Sequence, residues 1–450
     1  MLLKQYIMGL IAIYCLQTIR MVKGDSFHAG LILPSMDPFY ILPSGYERTK
    51  PGTILRSRKL PRHPEQTLPA FPQNIRGAYQ LLYRTTDALG QPTATVTTLM
   101  IPFNANPRKL VTYAVIQDNV SADCAPSYIL QKEFNSRDIL PQSEVLFMDT
   151  MLARGWYVSM PDYQGPKSMF TVGEMAGNGL LDSIRAVLAS HVETGIRPDA
   201  KIQMWGYSGG ALATGWAAQL QPRYAPELNI MSAVLGGTPV DLNATLYSVN
   251  QAFFSGLGFS GILGVAAQYD DFAAYVDAML VPEKKQAFYK VRELCYGDLV
   301  GNYTMQDITT YFAHPDFAQA SVVKNMLAKS DMGNIDTPTI PIFAYHAEHD
   351  PIAPFELTAA VYKKWCQQGA RIELLTDQTL DHSRLILGGA ADAILYLERR
   401  FAGIPPRRGC PHRSTRDASH DPFTSFVYMR ALWDILRAVI GKAPFHIHRQ

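Results

Sequence analysis

Neither sign of charge dominates this chain. Its 450 residues carry 41 Lys and Arg against 39 Asp and Glu, a formal net charge of +2. A nucleic-acid partner asks for a strong basic excess, so that class drops out. Long apolar runs are missing too. The run at residues 7–16 is about half of the roughly 20 residues that a membrane span needs. The segment 421–442 is longer, but Arg430, Asp434 and Arg437 interrupt it and argue against a span or a lipid-anchor signal. Cysteine is scarce, with five in the chain and none in CxxC spacing, which removes the common zinc and dithiol redox motifs. The cluster HAEHD (346–350) matches neither H-E-x-x-H nor H-x-x-E-H. No metal and no cofactor are expected.

The first segment has a basic Lys4, a short apolar run, and small residues Val22 and Gly24 before Asp25. Residues 1–24 read as a secretory signal peptide, so the mature chain is expected outside the cell. Removing that segment takes Cys15 with it. Cys124, Cys295, Cys366 and Cys410 remain, an even number that suits an oxidising compartment. Four cysteines allow three pairings, and nothing in their spacing selects one. Three N-x-S/T sequons, at Asn119, Asn243 and Asn302, fit a secreted glycoprotein.

Residues 25–75 are rich in Pro and turn formers and read as an irregular N-terminal arm. Apolar, β-branched runs then alternate with helical ones. Strands are expected near 93–102, 109–118, 155–161, 201–207, 228–237, 340–346 and 371–376. Helices are expected near 142–153, 179–190, 211–220, 361–368 and 390–403. Such alternation predicts parallel βαβ units and an α/β fold with a mostly parallel central sheet. Residues 241–335 break the rhythm, being rich in Phe, Tyr, Gly and Ala without clear strands. Two helices with Gly-rich joints fit that composition. A segment this long between strands reads as a helical cap or lid inserted over a site. A second structural layer is the plainer alternative. The tail, residues 411–450, holds one bounded helix at 421–442, with Asp421 and Pro422 at its start and Gly441 past its end. Residues 76–240 and 336–410 are left as the core.

The chemistry centres on GYSGG (206–210). A G-x-S-x-G match arises by chance at a rate of about 0.1 to 0.2 in a chain this long. Its setting matters more: KIQMW before it is strand-like and ALATGWAAQ after it is helical. That is the strand–turn–helix setting of a nucleophile elbow, in which small neighbours let strand and helix pack closely around an exposed serine. Ser208 is the candidate nucleophile, and the amide of Gly209 opens the helix as an oxyanion donor. A serine needs a base, and the base needs an orienting carboxylate. Asp350 and His382 follow in the order Ser, Asp, His, each in a loop after a predicted strand. Glu348 competes as the acid, and His346 and His349 as the base. Asp118 ends the expected strand 109–118 and lies where a second oxyanion donor usually originates. A carboxylate there repels an oxyanion unless it keeps its proton.

Several stretches together resemble the fungal secretory lipase family, the Candida antarctica lipase A type. They are QDNVSADCAPSY (117–128), GYSGGALATGWA (206–217), YAPELNI (224–230), GGTPVD (236–241), YHAEHDPIAP (345–354) and KKWCQQGA (363–370). The resemblance covers roughly residues 70–410 and fades at both ends. It implies an α/β-hydrolase fold with an inserted cap and a triad at Ser208, Asp350 and His382. It also implies an oxyanion site at Gly209 and Asp118, and cystines Cys124–Cys295 and Cys366–Cys410. The expected activity is a secreted serine carboxylic-ester hydrolase, a lipase or esterase. Its expected partner is a lipid or small-molecule ester, met at a lipid–water interface where the ester is a lipid. Two other readings stay open. One is an esterase that removes an acetyl group from a secondary metabolite such as a trichothecene-type terpenoid ester. The other is a binding protein on the same fold without turnover.

Overall fold

The computed structural model describes residues 32–60, 74–131, 141 and 143–418. The expected signal peptide, the helix at 421–442 and parts of the N-terminal arm lie outside the described residues. The described residues from Leu33 onward form one compact unit.

Ten strands make one sheet: β1 (Ile54–Lys59), β2 (Gly77–Thr86), β3 (Pro92–Ile101), β4 (Lys109–Ala114), β5 (Tyr157–Pro161), β6 (Lys201–Tyr207), β7 (Ile230–Gly236), β8 (Ile342–Ala347), β9 (Ile372–Asp377) and β10 (His412–Thr415). Their order across the sheet is β1-β2-β3-β5-β4-β6-β7-β8-β9-β10. The first three strands and β5 are joined by antiparallel pairs, and every pair from β5 to β10 is parallel.

The helices that matter below are α1 (Val145–Ala153), α2 (Gly173–Ala189), α3 (Gly209–Tyr224), α4 (Leu242–Val249), α5 (Gly256–Gln268), α6 (Asp270–Met279), α7 (Tyr296–Tyr303), α8 (Ser321–Leu327), α9 (Phe355–Gln367), α10 (His382–Gly388) and α11 (Ala390–Phe401). Strands covered on both faces read as continuous apolar runs. In β4 and β6, Leu110, Ile202 and Met204 join the core beneath α2 and α3. On those same strands, Tyr113 and Trp205 pack with Phe147 of α1, Trp205 lying 5.1 Å from Tyr113 and 5.4 Å from Phe147 between ring centroids.

Several elements differ from expectation. The arm expected to be irregular over 25–75 contains β1, which pairs with β2 at the sheet edge. The strand expected over 109–118 stops at Ala114, and its last four residues form a loop. Residues 241–335 hold α4 to α8 rather than two helices. The tail begins with β10, a strand not among those expected, which extends the sheet beside β9. Among the described residues, no helix is long and apolar enough to cross a membrane.

Candidate active site

Ser208 sits between β6 and α3 with φ 53° and ψ −120°, in the strained turn that the motif predicts. The turn needs glycine on both sides. A Cβ at Gly206 would lie 2.1 Å from Gly210 O, and one at Gly210 would lie 2.0 Å from Ala114 O. Strand, helix and the end of β4 therefore meet at backbone contact. The Ser208 N–H donates to Gly236 O at the end of β7 (2.8 Å). With 6% exposure the side chain is nearly enclosed.

Asp350 reaches Ser208 from the loop after β8, and His382 from the first residue of α10, after β9, rather than from the expected loop. Asp350 Oδ1 accepts from Ile352 N (2.9 Å) and Ala353 N (2.8 Å), which fixes the carboxylate. Its Oδ2 lies 2.7 Å from His382 Nδ1, and His382 Nε2 lies 2.9 Å from Ser208 Oγ. Burial alone would raise the Asp350 pKa, but His382 and the hydrogen bonds hold it below the usual carboxylate range. An ionised carboxylate only accepts, so Nδ1 carries the proton and Nε2 is left to accept the Ser208 hydroxyl. Burial works against the His382 imidazolium, yet the charge and hydrogen bond of Asp350 outweigh it and raise the pKa above its ordinary value.

The competing residues take other places. Glu348 accepts from Thr376 Oγ1 (2.7 Å) and Ser414 Oγ (2.6 Å), so it braces β9 and β10. His349 is exposed. His346 is buried, pairs through Nε2 with Ala353 O (2.8 Å) and stands 3.5 Å from Asp350 Oδ2.

Asp118 lies in the loop after β4 with φ 42°, a left-handed conformation that Asp tolerates better than most residues. Its carboxyl packs onto the start of α3, with Oδ1 only 1.9 Å from where a Gly209 Cβ would stand. That oxygen is buried and has no hydrogen-bond partner among the described residues. Burial raises the Asp118 pKa to about 7, against the lowering effect of a charged His382 and of its own backbone N–H. The Asp118 carboxyl and Gly209 stand together beside Ser208, and all three line the same cleft. The cleft's free volume is about 50 Å³, and its walls are almost wholly apolar. Leu242, Thr245, Leu246 and Val249 of α4 line it at helical spacing, and Leu257 and Ile262 of α5 line it too. Phe170 and Leu212 line it from the core.

Tyr207 is a residue that no motif marks. Its hydroxyl donates to His382 O (2.6 Å), and its ring lies 5.1 Å from the imidazole. The strand that leads to the serine therefore also holds the start of α10. Both cystines are present, Cys124–Cys295 and Cys366–Cys410. Of the sequons, Asn302 is exposed and Asn243 half-buried. Asn119 needs correction as a glycan site. It is fully buried, and its amide is engaged by Gln117 O (2.6 Å) and Ser121 N (3.1 Å), so a folded chain has no room for a sugar there. Among the described residues, no group of three or more His, Cys, Asp or Glu side chains could hold a metal.

The family model described as secretory lipase matches residues 130–409. Lipase A of Arthroderma benhamiae is 38% identical over 419 residues, spanning 91% of this chain and 89% of that protein. The chain belongs to the secretory lipase family. Lipase 4 of Candida albicans, 38% identical over 425 residues, covers 91% of this family member and 92% of its own length. Among solved structures, Candida antarctica lipase A in its closed state superposes with a TM-score of 0.82 at 28% identity, over 91% of this chain and 96% of that one. The fold is that of an α/β-hydrolase, and this family member is an ester hydrolase of the lipase or esterase type.

Proposed function

We propose that this secretory lipase family member is a secreted serine hydrolase that works through an acyl-enzyme on Ser208. The hydrogen-bonded series Ser208–His382–Asp350 carries the reading. Ser208 Oγ attacks the ester carbonyl carbon while its proton passes to His382 Nε2, and Asp350 holds the imidazole in register. The tetrahedral oxyanion accepts hydrogen bonds from Gly209 N–H and from protonated Asp118. Collapse expels the alcohol, which takes the proton from His382. Water, activated by the same histidine, then attacks the acyl-enzyme and frees the acid and Ser208.

The substrate is an acylglycerol or another fatty-acid ester. The apolar cleft wall and the lipases among the chain's relatives support this. Secretion is supported by the two cystines, by the family's name and by the leader pattern at residues 1–24. A second reading has its own observation. The cleft holds about 50 Å³, room for a few waters and hence for a short acyl group such as acetyl. That favours an esterase on a compact ester, of which an acetylated terpenoid is one kind, unless α4 and α5 repack.

A panel of p-nitrophenyl esters from acetate to palmitate, with a triglyceride emulsion, separates the two. Long-chain turnover is expected; hydrolysis confined to acetate would leave the short-acyl reading standing. Ser208→Ala should lower kcat by about 10⁴-fold or more. Unchanged hydrolysis in that variant would overturn the assignment of Ser208.

A further inference from the structure

Sheet pairing ends at Ala114, yet the chain must still carry Asp118 across to the start of α3. Over residues 115–118 the backbone leaves the sheet, and side chains from elsewhere take up its polar groups. Tyr163 donates its hydroxyl to Val115 O (2.9 Å). Asn119 Nδ2 donates to Gln117 O (2.6 Å). The Ile116 N–H donates to Glu144 Oε2 (2.7 Å).

Glu144 stands out among these three. Its second oxygen, Oε1, accepts the Tyr113 hydroxyl at 2.5 Å, and Tyr113 is the last residue but one of β4. One carboxyl therefore grips the end of the strand and the loop beyond it. Glu144 is fully buried just before α1 and makes no side-chain cap to that helix. Among the described residues it has no ion-pair partner. Burying an unpaired acid is unfavourable, and a neutral acceptor could satisfy one N–H equally well. Burial pushes its pKa up to about 8; the Tyr113 and Ile116 bonds lower it, and the charge of Asp118 raises it.

We propose that Glu144 is a positioning residue for the oxyanion site: by holding Ile116 and Tyr113 together it aims the Asp118 carboxyl at Gly209 and Ser208. The inference rests on the reading of Asp118 as the acid donor to the oxyanion. It predicts a loss in the transition state rather than in substrate binding, and a loss that depends on Asp118 being there to aim.

A double-mutant cycle on p-nitrophenyl butyrate hydrolysis tests it. Glu144→Ala should lower kcat by about 10- to 100-fold, the scale of a misplaced group, with KM nearly unchanged. Glu144→Gln can still accept from Ile116 N–H and can donate to the Tyr113 oxygen, so it should recover most of the rate. In an Asp118→Gly background, chosen because glycine accepts φ 42°, Glu144→Ala should cost less than about twofold, since pairs that act as a unit are not additive. If Glu144→Ala does not fold, Tyr113→Phe removes the outer bond to Glu144 while leaving the Ile116 bond, and it enters the same cycle. Equal losses in both backgrounds, or a Gln variant no better than Ala, overturn the positioning role. If Asp118→Gly alone leaves kcat unchanged, the reading of Asp118 fails instead, and the two failures are told apart.

Discussion

Asp118 can help an oxyanion only while it keeps its proton, and His382 can accept one only while it is neutral. These demands pull activity in opposite directions along the pH axis. The His382 pKa is raised above 6.5, so the rate falls as pH drops through it. The Asp118 pKa is raised to about 7, so the rate also falls as pH climbs past it and the donor becomes a repelling charge. A bell-shaped profile of kcat/KM is expected, with His382 setting its acid limb and Asp118, at about 7, its alkaline limb. Asp118→Asn keeps a donor and the left-handed backbone but does not titrate, so its alkaline limb should vanish. A limb that persists in that variant would remove Asp118 from the mechanism. Ser208, Asp350 and His382 were legible because a local motif and a chain order announce them. Asp118 needed family resemblance, since a carboxylate beside an oxyanion looks wrong until its burial is known. Tyr207 and Glu144 act through bonds to residues distant in the chain, and no motif marks either one.

Elements were legible where period and composition agreed, and obscured where glycine did packing work. The expected helix at 179–190 begins earlier, at Gly173, because the glycines of its first turns look like a loop. They are there for contact: a Cβ at Gly177 would stand 2.8 Å from Leu220 and 2.9 Å from the Trp216 carbonyl carbon, so α2 and α3 touch at backbone distance. β10 is short and polar, and its register depends on β9, so nothing local marks it. The helix α5 offers a test within one element. A Cβ at Gly264 would lie 2.1 Å from Phe170 O, whereas one at Gly261 meets Thr171 Cγ2 at an ordinary 3.6 Å. Gly264→Ala should therefore destabilise by about 1–3 kcal/mol as α5 is pushed from the Phe170 turn. Gly261→Ala should be neutral, or stabilising by up to about 1 kcal/mol through helix propensity. Thermal melting of both variants decides, and the reverse order would contradict this packing.

For the molecule as a whole, the buried acids set how stability follows pH. Burial raises Asp118 and Asp162 to about 7 and Glu144 to about 8, from ordinary values of 3.8 and 4.5. Across that window the native chain holds protons that the unfolded chain has released, so stability falls as pH rises and levels off above about 8. His382, also raised, is lost in the same direction. His346 opposes them, because burial keeps its pKa below 6.5 and unfolding then favours acid. The acids prevail, and the melting temperature at about pH 5.5 should exceed that at about pH 8.5. Glu144→Gln should flatten part of the slope. A melting temperature that rises from pH 5.5 to 8.5 would show that these groups are not buried as described.

The Cys124–Cys295 cystine joins the loop region just past Asp118 to the residue before α7. The segment between β7 and β8 is thus fastened to the core by its two chain ends and by a covalent tether between them. A panel held only at its ends can swing about the line that joins them; a third fastening takes that freedom away. The entrance to Ser208 consequently cannot open like a door. Wider access has to come from sliding or bending of α4 and α5, which precede the tether, while the part around α7 stays with the core like a fixed door frame.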